Sequence, residues 1–359
     1  MTLYLMYMAS PILIYIIMNL VVPDKLLSDK NTKKWFLIIC GIVMVLMIGL
    51  RHPDNGSGDT RYYYKNWSYM STVAISDLKR VLAAIDMEKG YLVCVWILSH
   101  IFPHPQMALV LSGIFFAISI CHFVYKNSDD VVMPLLVFNC LGLFNFVVQG
   151  LRQSVAMCIC LWSLEQCKKK NFIGFTLLVL LATSIHASAA VFFIVYFLRN
   201  LKLDLKGISI FSCCVAVGFI FLPTLFELMN KLLNEDYKMG IVSEQGGIVA
   251  IFIYLVIIVF ALFFKDNKNS NRDLYIYISL IGLITFMMRN SISQIASRIS
   301  YYFQFAQMII LSNSIKAVSD RSMRALIVMI TAVLCLGVAI HKASYTILIP
   351  YNFFWFNIY

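Results

Sequence analysis

Between Val131 and Cys167 the chain runs for 37 predominantly apolar residues, broken by one polar cluster, Gln149-Gly150-Leu151-Arg152-Gln153. A bilayer core takes a helix of about 20 residues, so this stretch predicts two membrane spans folded at the cluster. Arg152 then lies on the face opposite Lys168-Lys169-Lys170. Similar apolar runs recur near 2–22, 35–50, 106–125, 131–148, 153–167, 207–226, 248–264, 274–288, 299–315 and 325–341. They are apolar on every face, whereas barrel strands are short and alternate. The expected fold is all-α, a polytopic transmembrane helix bundle of about 10–12 membrane segments in a single integral membrane domain over residues 1–359. With 61% of the residues hydrophobic and 13% charged, no length is left for a separate soluble catalytic domain.

Two apolar stretches fit a simple crossing badly. Residues 91–102 are too short, and residues 172–198 read as one long tilted helix or two short ones meeting at Ser184-Ile185-His186. Short helical pieces at membrane depth line cavities as re-entrant elements, and both stretches are expected to do so. The opening MTLYLMYMAS has no basic segment before its apolar run and no small-residue cleavage signature, so it reads as a retained first span. Most of the ten cysteines lie inside apolar runs, as small buried hydrophobes do, and their spacing matches neither a disulfide framework nor a zinc site.

Lys168 to Lys170 belong on the cytoplasmic side by the positive-inside rule. Alternation then places residues 51–90 and 227–247 outside as the larger extracytoplasmic loops. The latter, with Glu235-Asp236-Tyr237, is a candidate lid. Most of the 29 Lys and Arg residues fall in the inner loops, so the net charge of +11 is a matter of topology beside anionic lipid, and no nucleic-acid partner is expected.

This sidedness gathers the unusual residues on the outer face. The connection after the second span reads R-H-P-D-N-G-S-G-D-T-R-Y-Y-Y from Arg51 to Tyr64. A solvated turn accounts for its Asn-Gly and Ser-Gly pairs, but Arg51 sits at the very end of a span, on the side where topology disfavours arginine. Arg152 sits in a turn so tight that its guanidinium stays at or just inside the interface, which calls for an anionic partner. His186 lies in an otherwise apolar stretch. The turn from Arg289 to Arg298 adds two more outward arginines, and Tyr301-Tyr302 after it reads as an interfacial aromatic belt. Glu88 is a further candidate base or a solvated charge. Guanidinium forks from several helices, with a carboxylate loop and a histidine, suit a polyanionic headgroup such as a lipid diphosphate. No P-loop, HExxH, GxSxG or kinase motif is present.

Five motifs in order resemble the EpsG family, related to the Wzy O-antigen polymerases. They are the Arg51–Tyr64 segment, L-R-Q-S-V-A from Leu151 to Ala156, A-T-S-I-H-A-S from Ala182 to Ser188, S-R-I-S-Y-Y-F from Ser297 to Phe303, and I-P-Y from Ile349 to Tyr351. The glycine-aspartate loop of the family is stretched here by Asn55-Gly56-Ser57. The resemblance implies a metal-independent, cofactor-free polymerase of O-antigen or capsular polysaccharide in the bacterial inner membrane, with its active site facing the periplasm. Undecaprenyl-diphosphate-linked oligosaccharide would be both donor and acceptor, membrane lipid the surroundings, and a chain-length regulator protein a partner. On this reading His186 or Asp59 takes the acceptor proton and Arg152 and Arg298 hold the donor diphosphate. Arg51, Arg61, Gln153, Arg289 and Tyr302 complete the substrate contacts. The rival reading is a transporter or flippase of the same lipid-linked sugar, which would need access from both faces.

Overall fold

The computed structural model describes residues 1–21, 29–55, 58–233, 247–265, 271–288, 294–344, 346 and 348–355, with the side chains of 219, 222–233, 294 and 295 left aside. The described chain is helical. It opens with α1 (Thr2–Met8) and α2 (Ser10–Val21), bent by 64°. Next come α3 (Lys30–Gly49), α4 (Gly58–Met70), α5 (Ile75–Ala84), α6 (Lys89–Ile101) and α7 (Met107–Asn127). The pair α8 (Val132–Cys140) and α9 (Leu143–Gln149) is bent by 58°, and α10 (Leu151–Lys168) follows. After α11 (Phe172–Ile185), a 3-10 turn over Ala187–Phe193 leads into α12 (Ile194–Leu198). The last helices are α13 (Leu205–Leu233), α14 (Gly247–Phe263), α15 (Arg272–Met287), α16 (Gln294–Ala317) and α17 (Arg321–Ala343).

The side-chain distribution is that of a protein in lipid. Large apolar residues such as Leu326, Met329, Val333 and Leu334 on α17 face outward, while Asn139, Asn145, Gln304, Gln307 and Asn313 are buried. Polar groups inside a membrane protein turn toward partners in the bundle, because hydrocarbon offers them none. Tyr4 and Asn145 hydrogen-bond each other, and Asn139 donates to the Tyr7 carbonyl at 3.1 Å. The ten cysteines are free thiols.

By length and composition α3, α7 and α17 qualify as unbroken spans, and the bent pairs α1–α2 and α8–α9 bring the number to five among the described residues. The expectation of ten to twelve segments therefore resolves into three to five helices of span-like character and a set of shorter apolar ones. Charge removes α10 from the first group: it carries Arg152, Glu165 and Lys168.

The stretch 172–198 is two helical arms with His186 at their junction. Tyr196 on the returning arm donates to the carbonyl of Lys170, at the start of the outgoing arm, so the hairpin leaves from and returns to the Lys168 end of the bundle. The break has a local cause. Thr183 and Ser184 turn their hydroxyls back onto the Val179 and Leu181 carbonyls, which loosens the end of a helix, and His186 itself is extended at φ −152°, ψ 116°. The chain enters α6 at Glu88, and by Gln106 it is back at the same end, where the Gln106 amide donates to the carbonyls of Gly49 and Arg51.

Candidate active site

Gly150 closes α9 and opens α10, at φ −98°, ψ 60°. Its N–H donates to the Phe146 carbonyl, and its own carbonyl accepts from the Ser154 N–H, both at 2.8 Å. A Cβ here would stand 3.1 Å from the Phe146 ring, so the smallest residue allows the turn and its aromatic neighbour to coexist. The turn puts Arg152 in the first turn of α10, where the unbonded backbone N–H groups already carry partial positive charge.

Arg152 is held from two sides. Its Nη1 donates to Glu88 Oε2, and its guanidinium carbon lies 6.0 Å from the centre of the Tyr91 ring. Its Nε is buried and finds no partner among the described residues. Glu88 precedes α6 as its N-cap residue without capping it, so the carboxylate is free to reach across. Oε1 accepts from the Ala187 N–H at 2.9 Å and lies 3.0 Å from His186 Nδ1. Close packing makes this reach possible: a Cβ on Gly90 would overlap the Ser184 carbonyl oxygen at 2.5 Å, so α6 and the end of α11 meet at a glycine. Burial pushes the Glu88 carboxyl upward, but the hydrogen bonds from His186 and Ala187 and the Arg152 charge outweigh it and hold the group at about 2. It is a carboxylate at neutral pH and accepts only. Nδ1 of His186 therefore carries the proton in the Glu88 contact, which leaves Nε2 as the basic nitrogen of the neutral ring.

A cavity of about 390 Å³ on α14 and Phe264 is lined by apolar side chains alone, as befits a helix face in lipid, and offers no chemistry. The polar cavity, of about 310 Å³, lies over the start of α10. Arg152 and Arg298 supply its positive charge, with Asp59 and His186 on the same wall system. Gln149, Gln153 and Ser297 add polar groups, and Tyr63, Phe146 and Tyr301 form the aromatic lining. Phe146 and Tyr301 stack at 3.9 Å with 17° between their planes. Gln153 ties the first turn of α10 to α16 by donating to the Arg298 carbonyl at 2.7 Å. The Arg298 guanidinium is exposed and forms no ion pair among the described residues.

Of the residues expected from sequence, the structure brings Asp59, Arg152, Gln153, His186 and Arg298 to this one cavity. Arg51 is elsewhere. It is fully buried, and its Nη1 and Nη2 donate to the carbonyls of Asn55 at 2.7 Å and Val148 at 2.8 Å. Its backbone bridges to Phe353, and the Asn55 amide donates to the Pro350 carbonyl at 2.9 Å. Arg51 thus clamps three segments by hydrogen bonds to backbone, which gives its charge acceptors without a ligand. Arg61 is exposed and paired with Asp54, whose carboxyl is held below the usual range mainly by that hydrogen bond. Tyr302 is buried behind the cavity with its hydroxyl 3.1 Å from Ser188 Oγ. Its neighbour Tyr301, three residues past Arg298 and so on the same helical face, reaches the cavity instead. Arg289 and Glu235-Asp236-Tyr237 lie outside the described residues.

Sequence reasoning gave Glu88 too small a part. It is 98 residues from His186 and 64 from Arg152, and only its position just before an apolar run marked it. The model of the EpsG family matches residues 34–353. The chain is 22% identical over 271 residues to the amylovoran biosynthesis protein AmsC of Erwinia amylovora, an overlap of 71% of this chain and 72% of that protein. No solved structure matches it.

Proposed function

This chain belongs to the EpsG family, and on that premise we propose that it is a membrane polymerase of a bacterial surface polysaccharide. The name of the AmsC relative, an amylovoran biosynthesis protein, supports the polysaccharide assignment. The observation that carries it is the cavity in which Asp59, Arg152, His186 and Arg298 meet from four separate stretches of chain.

The donor is a glycan linked through diphosphate to a polyprenyl lipid, undecaprenyl diphosphate in the reading implied by the family. Its diphosphate lies between Arg152 and Arg298 over the first turn of α10, where guanidinium forks and free N–H groups both favour phosphate oxygens. The acceptor is the non-reducing end of a second lipid-linked unit. Its attacking hydroxyl gives its proton to His186 Nε2 while the oxygen bonds to the anomeric carbon of the donor sugar. The bond from that carbon to the diphosphate oxygen breaks with both electrons going to oxygen, so negative charge grows on the leaving group. Preplaced cations stabilise that charge more in the transition state than before it, which is the condition for rate enhancement. Asp59, exposed at the start of α4, contacts acceptor hydroxyls. The reaction so written needs no nucleotide and no metal, which suits the periplasmic face of the inner membrane. A chain-length regulator belongs to the same proposal, as the partner that would decide when the product leaves.

A transporter of the same lipid fits less well. It needs a path between faces, whereas the polar cavity lies at one end of α10 and the other end is filled by a closed set of hydrogen bonds among Asn127, Glu165, Lys168 and Tyr275. The test is the polymer ladder from cells lacking the native gene and complemented with variants. His186→Ala and Arg152→Ala are each expected to leave single repeat units and no long chains. Wild-type ladders from both at equal expression would overturn the reading.

A further inference from the structure

We propose that Glu88 is a positioning residue of this site: it fixes His186 with the proton on Nδ1 and the basic Nε2 toward the cavity, and locks the Arg152 fork in the same contact. The inference rests on the function proposed above and adds to it a group that touches neither substrate.

Three observations carry it. The two carboxylate oxygens divide the work, Oε1 on His186 Nδ1 at 3.0 Å and on the Ala187 N–H at 2.9 Å, Oε2 on Arg152. One rigid group thus sets the relative placement of the proton acceptor and the diphosphate-binding cation. Secondly, Glu88 is absent from the cavity lining while both of its side-chain partners, Arg152 and His186, line it, so it stands behind the reacting groups. Thirdly, its place is enforced by backbone: Gly90 meets Ser184 with no room for a side chain, which pins the start of α6 against the residues just before His186. Among the described residues the Glu88 contact is the one hydrogen bond of the His186 ring.

The arrangement also explains why a carboxylate is needed. An imidazole held only by packing exchanges its proton between the two nitrogens, and the tautomer protonated on Nε2 cannot accept a proton there. An acceptor on Nδ1 removes that tautomer, the principle by which a buried acid orients the histidine of a hydrolase triad. A glutamine cannot substitute. With its NH2 toward Arg152 the amide faces a donor, and with its NH2 toward His186 and Ala187 it meets the Ala187 N–H and can be accepted by the ring only at Nδ1, which is the unwanted tautomer.

The experiment uses the full-length protein in lipid bilayers with 15N-labelled histidine. The His186 signals are identified as those lost in His186→Gln. Recorded where the ring carries a single proton, the wild type is expected to hold it on Nδ1, and Glu88→Gln to shift it to Nε2. Turnover is followed in parallel with polyprenyl-diphosphate-linked repeat units extracted from cells lacking the native gene. Glu88→Gln is expected to slow chain extension about 10²-fold, in the range of a lost acid–base contribution, and Glu88→Asp, which keeps the charge on a shorter arm, to recover part of the loss. A wild-type ring protonated on Nε2 would overturn the proposal without any variant. So would Glu88→Gln with normal tautomer and normal turnover beside an inactive His186→Gln, an outcome that leaves the polymerase reading standing. Activity in His186→Gln and Arg152→Ala together would instead remove the polymerase mechanism itself.

Discussion

At its last turn α10 carries Lys168 beside Glu165, and at its first turn Arg152 beside the Glu88 that α6 brings to it. Both ends thus hold a cation against a carboxylate, yet the surroundings diverge. At the Lys168 end, Lys168 Nζ donates to Glu165 at 2.6 Å and to the Asn127 side-chain oxygen, which also accepts from the Tyr275 hydroxyl at 2.5 Å. The Asn127 amide donates to Glu165 at 3.1 Å, and the Asn313 amide donates to the Asn127 carbonyl at 2.9 Å. None of these side chains is left with an unpartnered buried polar atom. The circle joins α7, α10, α15 and α16. At the Arg152 end the cation faces an open space of about 310 Å³, and among the described residues its Nε has no partner and Arg298 brings a second cation without an ion pair. Buried polar groups in a purely structural network are satisfied. A bare Nε does not by itself tell the two kinds of site apart, since that of Arg51 is also buried and unpartnered among the described residues; the open polar cavity that Arg152 shares with Arg298 does, and there a ligand can supply acceptors.

The comparison breaks first at Arg152. Arg152→Ala is expected to slow chain extension about 10²- to 10³-fold, the loss seen when one preplaced donor to a developing anion is removed, with a small change in melting temperature. A large drop in stability with normal turnover per folded molecule would make the two ends alike. At the other end the reverse is expected. Asn127→Ala leaves the Tyr275 hydroxyl without its acceptor and takes one partner each from Lys168 and Glu165, which keep each other; it should cost about 2–3 kcal/mol, read as a lower melting temperature in detergent, while the folded fraction extends chains at the wild-type rate.

The smallest effect concerns acid. The Glu88 carboxyl is held at about 2 against an ordinary value of 4.5, so its folded-state value is depressed. Its contribution to stability is present above pH 4.5 and is lost as pH falls from there toward 2. Wild-type protein should lose melting temperature across that window more steeply than Glu88→Gln. Parallel curves would show that the Arg152 end has no such coupled carboxylate.

The polar cluster at 149–153 was legible as a turn between helices, and so was the junction at His186, because apolar length against bilayer thickness leaves few choices. Arg152, His186 and Arg298 were legible for a related reason, since polar residues within or at the ends of apolar runs are costly unless something meets them, whereas Asp59 and Gln153 were pointed to by the family resemblance. The same argument misplaced Arg51. Sequence shows that a buried charge needs acceptors, but not whether those acceptors belong to a ligand or, as here, to the carbonyls of Asn55 and Val148. Tyr302 and Tyr301 differ by one residue, which is about 100° around a helix, enough to turn one ring to the cavity and the other to Ser188.

Composition and the lengths of the apolar runs alone determined that this is an all-helical membrane protein with its odd charges gathered where those runs end, since hydrocarbon admits little else. Which of those charges share a cavity was decided only by the packing of α4, α6, α10, α11 and α16. Glu88 shows why: its two side-chain partners are 64 and 98 residues away, and a contact at that separation is written in the way helices stack, through a glycine such as Gly90 that lets two backbones meet, and in no local pattern of residues.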